Sequence, residues 1–139
     1  MLPSFEERSV WVQFVGLLVV LAGYGLVSVA MLTAGVSHPA PFVVVMSVAT
    51  VLLVVLLAVG HAIAALAGAP EARDERDRLI GWRAESGSSW LLATGVVAAI
   101  GTLLVGWPAL WVAHLLMLSL FASEILKLAL QLRWYRKGV

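Results

Sequence analysis

Residues Val10–Ala34 read VWVQFVGLLVVLAGYGLVSVAMLTA, an unbroken apolar run whose one strongly polar side chain is Gln13. A helix crossing the hydrocarbon core of a bilayer needs about 20 apolar residues at about 1.5 Å each, and this run is long enough. Only a helix satisfies its own backbone in lipid, because an isolated strand leaves its N–H and C=O groups without partners. Valine-rich runs such as Val51–Val55 would favour strands in water, a preference that lipid reverses. The preceding residues, Pro3-Ser4-Phe5-Glu6-Glu7-Arg8, carry more acid than base. A cleaved signal has a basic start and a short apolar region, so the first run is expected to remain as a span.

Working outward, three more runs follow. With the first they give expected helices over about 10–34, 42–67, 89–107 and 109–132, in a single transmembrane domain covering 1–139. Composition agrees: 62% of the 139 residues are hydrophobic and 12% charged, against roughly half and a quarter in soluble domains. A soluble domain of this size could not bury so much apolar surface. The net charge of +1 speaks against nucleic acid as a partner, and the absence of cysteine excludes disulfides and thiolate metal sites.

Gly35-Val36-Ser37-His38-Pro39-Ala40-Pro41 breaks the first pair of helices into a hairpin, and Gly106-Trp107-Pro108 breaks the second. Proline is tolerated in the first turn of a new helix. All nine basic residues (Arg8, Arg73, Arg76, Arg78, Arg83, Lys127, Arg133, Arg136 and Lys137) lie outside these two connections. Basic residues mark the cytoplasmic side of short loops, so both termini and the central loop are expected inside. The expected fold is all-α: an integral membrane four-helix bundle built from two helical hairpins, N-in and C-in. Trp11, Trp90, Trp134 and Tyr135 fall near the inner boundary and Trp107 and Trp111 near the outer one, as an interfacial aromatic belt requires.

The polar stretch lies at about 69–88. Within it Arg73 and Asp77, and Asp74 and Arg78, are four apart and can pair along a helix face. It reads as a short cytoplasmic helix on the membrane surface leading into the third span, with Leu79, Ile80 and Trp82 turned to the membrane. Its near-balanced charge argues against a polybasic patch for anionic lipid. Two roles fit: a solvated linker, or a docking site for a protein partner or a neighbouring subunit through Asp74, Glu75, Arg76, Asp77 and Arg78. A divalent metal on Asp74, Glu75 and Asp77 is disfavoured by the interspersed arginines, although carboxylates suit hard cations.

Inside the bilayer, Glu124, Lys127 and Gln131 share one face of the fourth helix, being three and four residues apart. Counted from Pro108 at the helical rise, Glu124 lies about 24 Å and Lys127 about 28 Å down the span, and His61 lies about 30 Å below Pro41. An intramembrane polar cluster of His61, Glu124, Lys127 and Gln131 is therefore expected. It reads either as a structural clasp, with Lys127 reaching the inner boundary, or as a functional site. His61 and His114 could recruit haem only at equal depth, and they stand some 20 Å apart. No cofactor is expected. Small residues four apart, Gly60-Ala64-Gly68 and Thr94-Ala98-Thr102, mark candidate close helix contacts.

No phosphate loop, nucleophile elbow, HExxH or dinucleotide fingerprint occurs, so no catalytic residue is assigned. Asp74-Glu75-Arg76-Asp77 with Leu79-Ile80, then Ser123-Glu124-Ile125-Leu126-Lys127, Gln131 and Trp134-Tyr135-Arg136-Lys137-Gly138, resemble a family of small prokaryotic four-helix integral membrane proteins of unknown function. The likeness covers about half the chain. It implies a bacterial or archaeal cytoplasmic membrane and no particular activity. The expected function is a non-enzymatic interaction or sensing module, a homodimer or higher homo-oligomer in the lipid bilayer, with a cytoplasmic or membrane protein as a further candidate partner. The alternative is an oligomeric transporter or channel component using His61, Glu124 and Lys127.

Overall fold

The computed structural model describes residues 5–66 and 75–137, and the side chains of these save 5, 6, 56, 57, 60, 61 and 63–66. The described chain is all helix, with no strand: α1 (Phe5–Thr33), α2 (Pro39–Leu66), α3 (Glu75–Leu104) and α4 (Ala109–Lys137). Contacts gather into two compact units, Met1–Glu71 and Ala72–Val139. In the first α1 packs on α2, and in the second α3 packs on α4.

Three helices are long and apolar enough to cross a membrane, over Glu7–Thr33, Glu75–Leu104 and Ala109–Lys137. In α2 the stretch Pro39–Val55 is apolar. Despite eight valines between Val43 and Val59, α2 is helical throughout, as expected where the backbone must satisfy itself. Much of the apolar surface is turned outward: Val19, Leu26 and Val29 on α1, Val44, Val51 and Val54 on α2, and Val97, Leu103 and Leu104 on α3 are all exposed, consistent with helices that meet lipid.

Both turns close in the same way. Gly35 has φ 79° and Gly106 has φ 82°, a left-handed conformation that costs residues with a Cβ. At the first turn the Gly35 N–H donates to Leu32 O and the Val36 N–H to Met31 O. At the second the Gly106 N–H donates to Leu103 O and the Trp107 N–H to Thr102 O. This pair of backward bonds covers helix-end carbonyls that would otherwise be orphaned. Beyond the first turn His38 Nδ1 accepts from the Ala40 N–H at 3.2 Å, capping α2.

The main departure from expectation is the start of α3. It begins at Glu75 rather than near 89, so the described part of the charged segment, from Glu75 on, is continuous with the apolar part of α3 and not a separate helix on the surface. Glu75 and Asp77 place negative charge in the first turn, where the helix dipole favours it, and no proline interrupts the segment. A continuous helix also separates neighbours by about 100° each, so Leu79, Ile80 and Trp82 cannot share a face. Leu79 and Trp82 are exposed, whereas Ile80 is fully buried. The helices α1 and α2 likewise start before their expected bounds, at Phe5 and Pro39, and α4 continues past its own to Lys137.

The α3–α4 seam is made of small residues. A Cβ added to Gly95 would overlap Ser119 Oγ and Cβ, and the Ser123 hydroxyl donates to Ser88 O at 3.2 Å. Contacts descend α4 as they ascend α3, so the two helices run in opposite senses. The expected stripe Thr94-Ala98-Thr102 is displaced by one residue. Thr94 and Ala98 are exposed while Gly95 and Ala99 are buried, and Thr94 returns its hydroxyl to Trp90 O at 2.8 Å. Of the other stripe, Gly60-Ala64-Gly68, the first two belong to α2, their packing lies outside what is described, and Gly68 lies outside the described residues.

Candidate functional site

Below the Ser88–Ser123 bond the seam opens onto charge. Lys127 of α4 is ion-paired with Glu124, one turn earlier, and its Nζ stands 3.6 Å from Glu85 Oε2 of α3. Antiparallel pairing brings Glu85 here. Glu85 and Lys127 stand equally far in sequence from Gly106, one on each side, so a turn centred on that glycine sets them opposite each other. The Lys127 side chain is 20% exposed, Glu124 40% and Glu85 67%. The ammonium is thus the most enclosed of the three charges, held between two carboxylates that reach outward.

The two carboxylates more than offset the ammonium and leave the cluster with one net negative charge. A lysine that carries its stem along apolar surface and its ammonium to the boundary needs such anionic company. Gln131 is half-buried one turn past Lys127, on the same face of α4. His61 belongs to α2, and its side chain lies outside the described residues; its expected place in the cluster therefore falls outside them too. Glu85 is a member that inspection of the spans misses, because it was counted with the loop. Matching distances from the Gly106 turn would have found it.

His114 is occupied locally. Its Nδ1 is 2.8 Å from Leu110 O. A carbonyl only accepts, so Nδ1 carries the proton. The Trp111 ring lies 6.1 Å from the imidazole, centre to centre. Among the described residues no group of three His, Cys, Asp or Glu side chains converges to hold a metal.

Of the charged loop set, Asp74 lies outside the described residues, while Glu75, Arg76, Asp77 and Arg78 form the first turn of α3. Glu75, Arg78, Leu79 and Trp82 line a shallow depression of about 190 Å³. Their spacing puts all four on one face, and Trp82 is 73% exposed. The face packed on α4, through Ala84, Ser88 and Gly95, points the opposite way. Asp77, seven residues before Ala84, lies on the side of α3 toward α4, and Arg76 belongs to neither face.

In the first unit, α1 and α2 flank an apolar groove of about 430 Å³ whose walls include Val20, Gly23, Val45, Val48 and Leu52. Among the described residues Tyr24 is the one titratable residue along it, so these walls provide shape and little chemistry. Nearer the N-terminus of α1 the Gln13 amide donates to Ser9 Oγ at 3.3 Å, linking a polar pair one turn apart along the span.

No family model matches the chain, and no curated protein or solved structure is similar to it.

Proposed function

We propose that the chain is a non-enzymatic multi-pass protein of a bacterial or archaeal cytoplasmic membrane, with four spans in two hairpins and both termini inside, which self-associates through the outer face of the inner end of α3. The observation that carries this reading is the face formed by Glu75, Arg78, Leu79 and Trp82. It joins a large exposed aromatic ring to opposite charges at the polar end of a spanning helix. Tryptophan and arginine are enriched at the centres of interfaces. Two copies of this face related by a twofold axis along the membrane normal can exchange Glu75–Arg78 pairs around packed Trp82 rings, the self-complementarity a symmetric dimer needs.

The Lys127 cluster supports the same reading from the other direction. One ammonium between two carboxylates is charge-compensated within its own unit, so it serves as a clasp between α3 and α4 rather than as a binding point for a solute. The orientation rests on charge. In the second unit Arg76, Arg78, Arg83, Arg133, Arg136 and Lys137 all lie at the end away from the Gly106 turn, and basic ends face the cytoplasm.

The test is charge reversal and swap on the full chain in lipid nanodiscs or neutral detergent, with mass measured by light scattering. Arg78→Glu is expected to lower the dimer fraction, and Glu75→Arg combined with Arg78→Glu to restore it. A wild-type chain that stays monomeric at every protein-to-lipid ratio, or an Arg78→Glu chain that associates like wild type, sinks the reading.

A further inference from the structure

The charged segment at the start of α3 is nearly neutral taken alone, but the fold sets the end of α4 beside it. Gly87 and Leu130 mark the place: a Cβ at Gly87 would lie 3.0 Å from Leu130 Cδ1. On α3, Arg83 is four residues before Gly87 and Arg76 a further seven, so both share the Gly87 flank. On α4, Arg133 is three residues after Leu130 and Lys137 four beyond that, so both share the Leu130 flank. Because the helices run in opposite senses, all four cations fall on the same side of the contact. At the helical rise Arg83 stands about 6 Å and Arg133 about 4.5 Å below it, at one level. Arg76, Arg83, Arg133 and Lys137 are all exposed.

The acids are elsewhere. Glu85 is two residues from Gly87, which turns it about 160° away at about 100° per residue, and with Glu124 it is engaged with Lys127. Glu75 and Asp77 flank Arg76 about 100° to either side and do not reach the level of Arg83 and Arg133. Seven residues above Arg83, on the same flank toward the apolar span, Trp90 is 58% exposed. An exposed indole at the edge of a span sits at headgroup depth. The flank therefore stacks an interfacial ring over arginines that present forked donors suited to phosphate oxygens.

We infer that this flank is a binding site for the headgroup of an anionic phospholipid, its phosphate held between Arg83 and Arg133 with Arg76 and Lys137 as outer cations. The inference rests on the membrane placement of the α3–α4 unit, and it departs from the expectation drawn from the balanced charge of the loop alone. Basic clusters on the cytoplasmic side of spanning helices attract anionic lipid with a gain for each cation, and the attraction weakens with added salt.

The test uses the full chain. Its incorporation into nanodiscs of neutral phosphatidylcholine is read first, because a chain that does not enter overturns both the membrane reading and this one. The chain in neutral maltoside detergent is then titrated with dioleoylphosphatidylglycerol, dioleoylphosphatidylcholine or inorganic phosphate, and retained lipid is counted by native mass spectrometry. Phosphatidylglycerol is expected to bind in preference to phosphatidylcholine, undisturbed by phosphate at the same concentration. The double variant Arg83→Gln/Arg133→Gln should weaken its binding about 30-fold. Removing one arginine from another face of α4, Arg136→Gln, should cost far less than removing Arg133 alone by Arg133→Gln. Arg133→Gln/Lys137→Gln, which leaves α3 untouched, should reproduce much of the loss. Equal binding of the two lipids, equal effects of Arg133→Gln and Arg136→Gln, or displacement by inorganic phosphate would overturn the proposal.

Discussion

Replacing Gly95 by alanine tests the α3–α4 seam most directly. The new methyl would overlap both Oγ and Cβ of Ser119 and lie 3.6 Å from its Cα. Rotating the serine moves Oγ but not Cβ, and Oγ is also held by a 2.7 Å bond to Leu115 O. The backbones must therefore part. Restoring a carbon–carbon contact of about 3.5–4.0 Å requires roughly an ångström or more of separation, and a gap of that size forfeits a quarter to a half of each dispersion contact along the seam. Overpacking of this kind costs about 1–3 kcal/mol. Alanine also gains helix propensity over glycine, by about 1 kcal/mol in water, and Gly101 on the same helix provides the correction. It is exposed and nothing lies within 4 Å of its added Cβ, so Gly101→Ala carries the propensity change without the clash. Reversible unfolding in mixed micelles should then place Gly95→Ala about 1–3 kcal/mol below Gly101→Ala. Ser119→Gly should restore most of that difference, giving a coupling energy outside the additive range of about 0.5 kcal/mol. Equal stability of the two alanine variants, or no rescue by Ser119→Gly, would refute the close approach.

Three further outcomes follow from the same geometry. Gly106→Ala places a Cβ at φ 82° and should cost about 1–2 kcal/mol, with Gly106→Asn costing less, measured by the same unfolding assay. Lys127→Met leaves Glu124 and Glu85 without their cation and should destabilise by about 1–2 kcal/mol. Glu85→Gln, at a largely exposed carboxylate, should stay within about 1 kcal/mol; a larger loss from Glu85→Gln than from Lys127→Met would reverse the roles assigned in the clasp. Because the chain has no cysteine, single replacements Trp107→Cys and Arg136→Cys report sidedness cleanly. A membrane-impermeant thiol reagent added to intact cells should label the first and spare the second, and the opposite pattern would invert the proposed orientation.

The site was legible only in pieces. Glu124 and Lys127 could be paired from a spacing of three on one helix, since neighbours on a helix surface follow from the period alone. Glu85 could not be read that way, because its partner is far along the chain and depends on the register across the Gly106 turn. Trp82 likewise looked like one of three apolar residues on a surface helix until the continuity of α3 fixed which direction each of Leu79, Ile80 and Trp82 takes.

What the amino-acid order determined alone is the solvent and the secondary structure. Runs of twenty or more apolar residues favour hydrocarbon over water, hydrocarbon demands helices, and glycine followed by proline stops them at Gly35 and Gly106. These are local consequences of composition and backbone geometry, and they need no knowledge of neighbours. The tertiary structure decided which small residues meet, Gly95 and Ser119 rather than Thr94 and Ala98, which carboxylate completes the Lys127 clasp, and which arginines from distant segments share a flank. Each depends on the rotation and register of one helix against another. Inside a membrane that setting is chosen by close packing, because exposure to lipid costs an apolar face almost nothing and hydropathy leaves it undetermined.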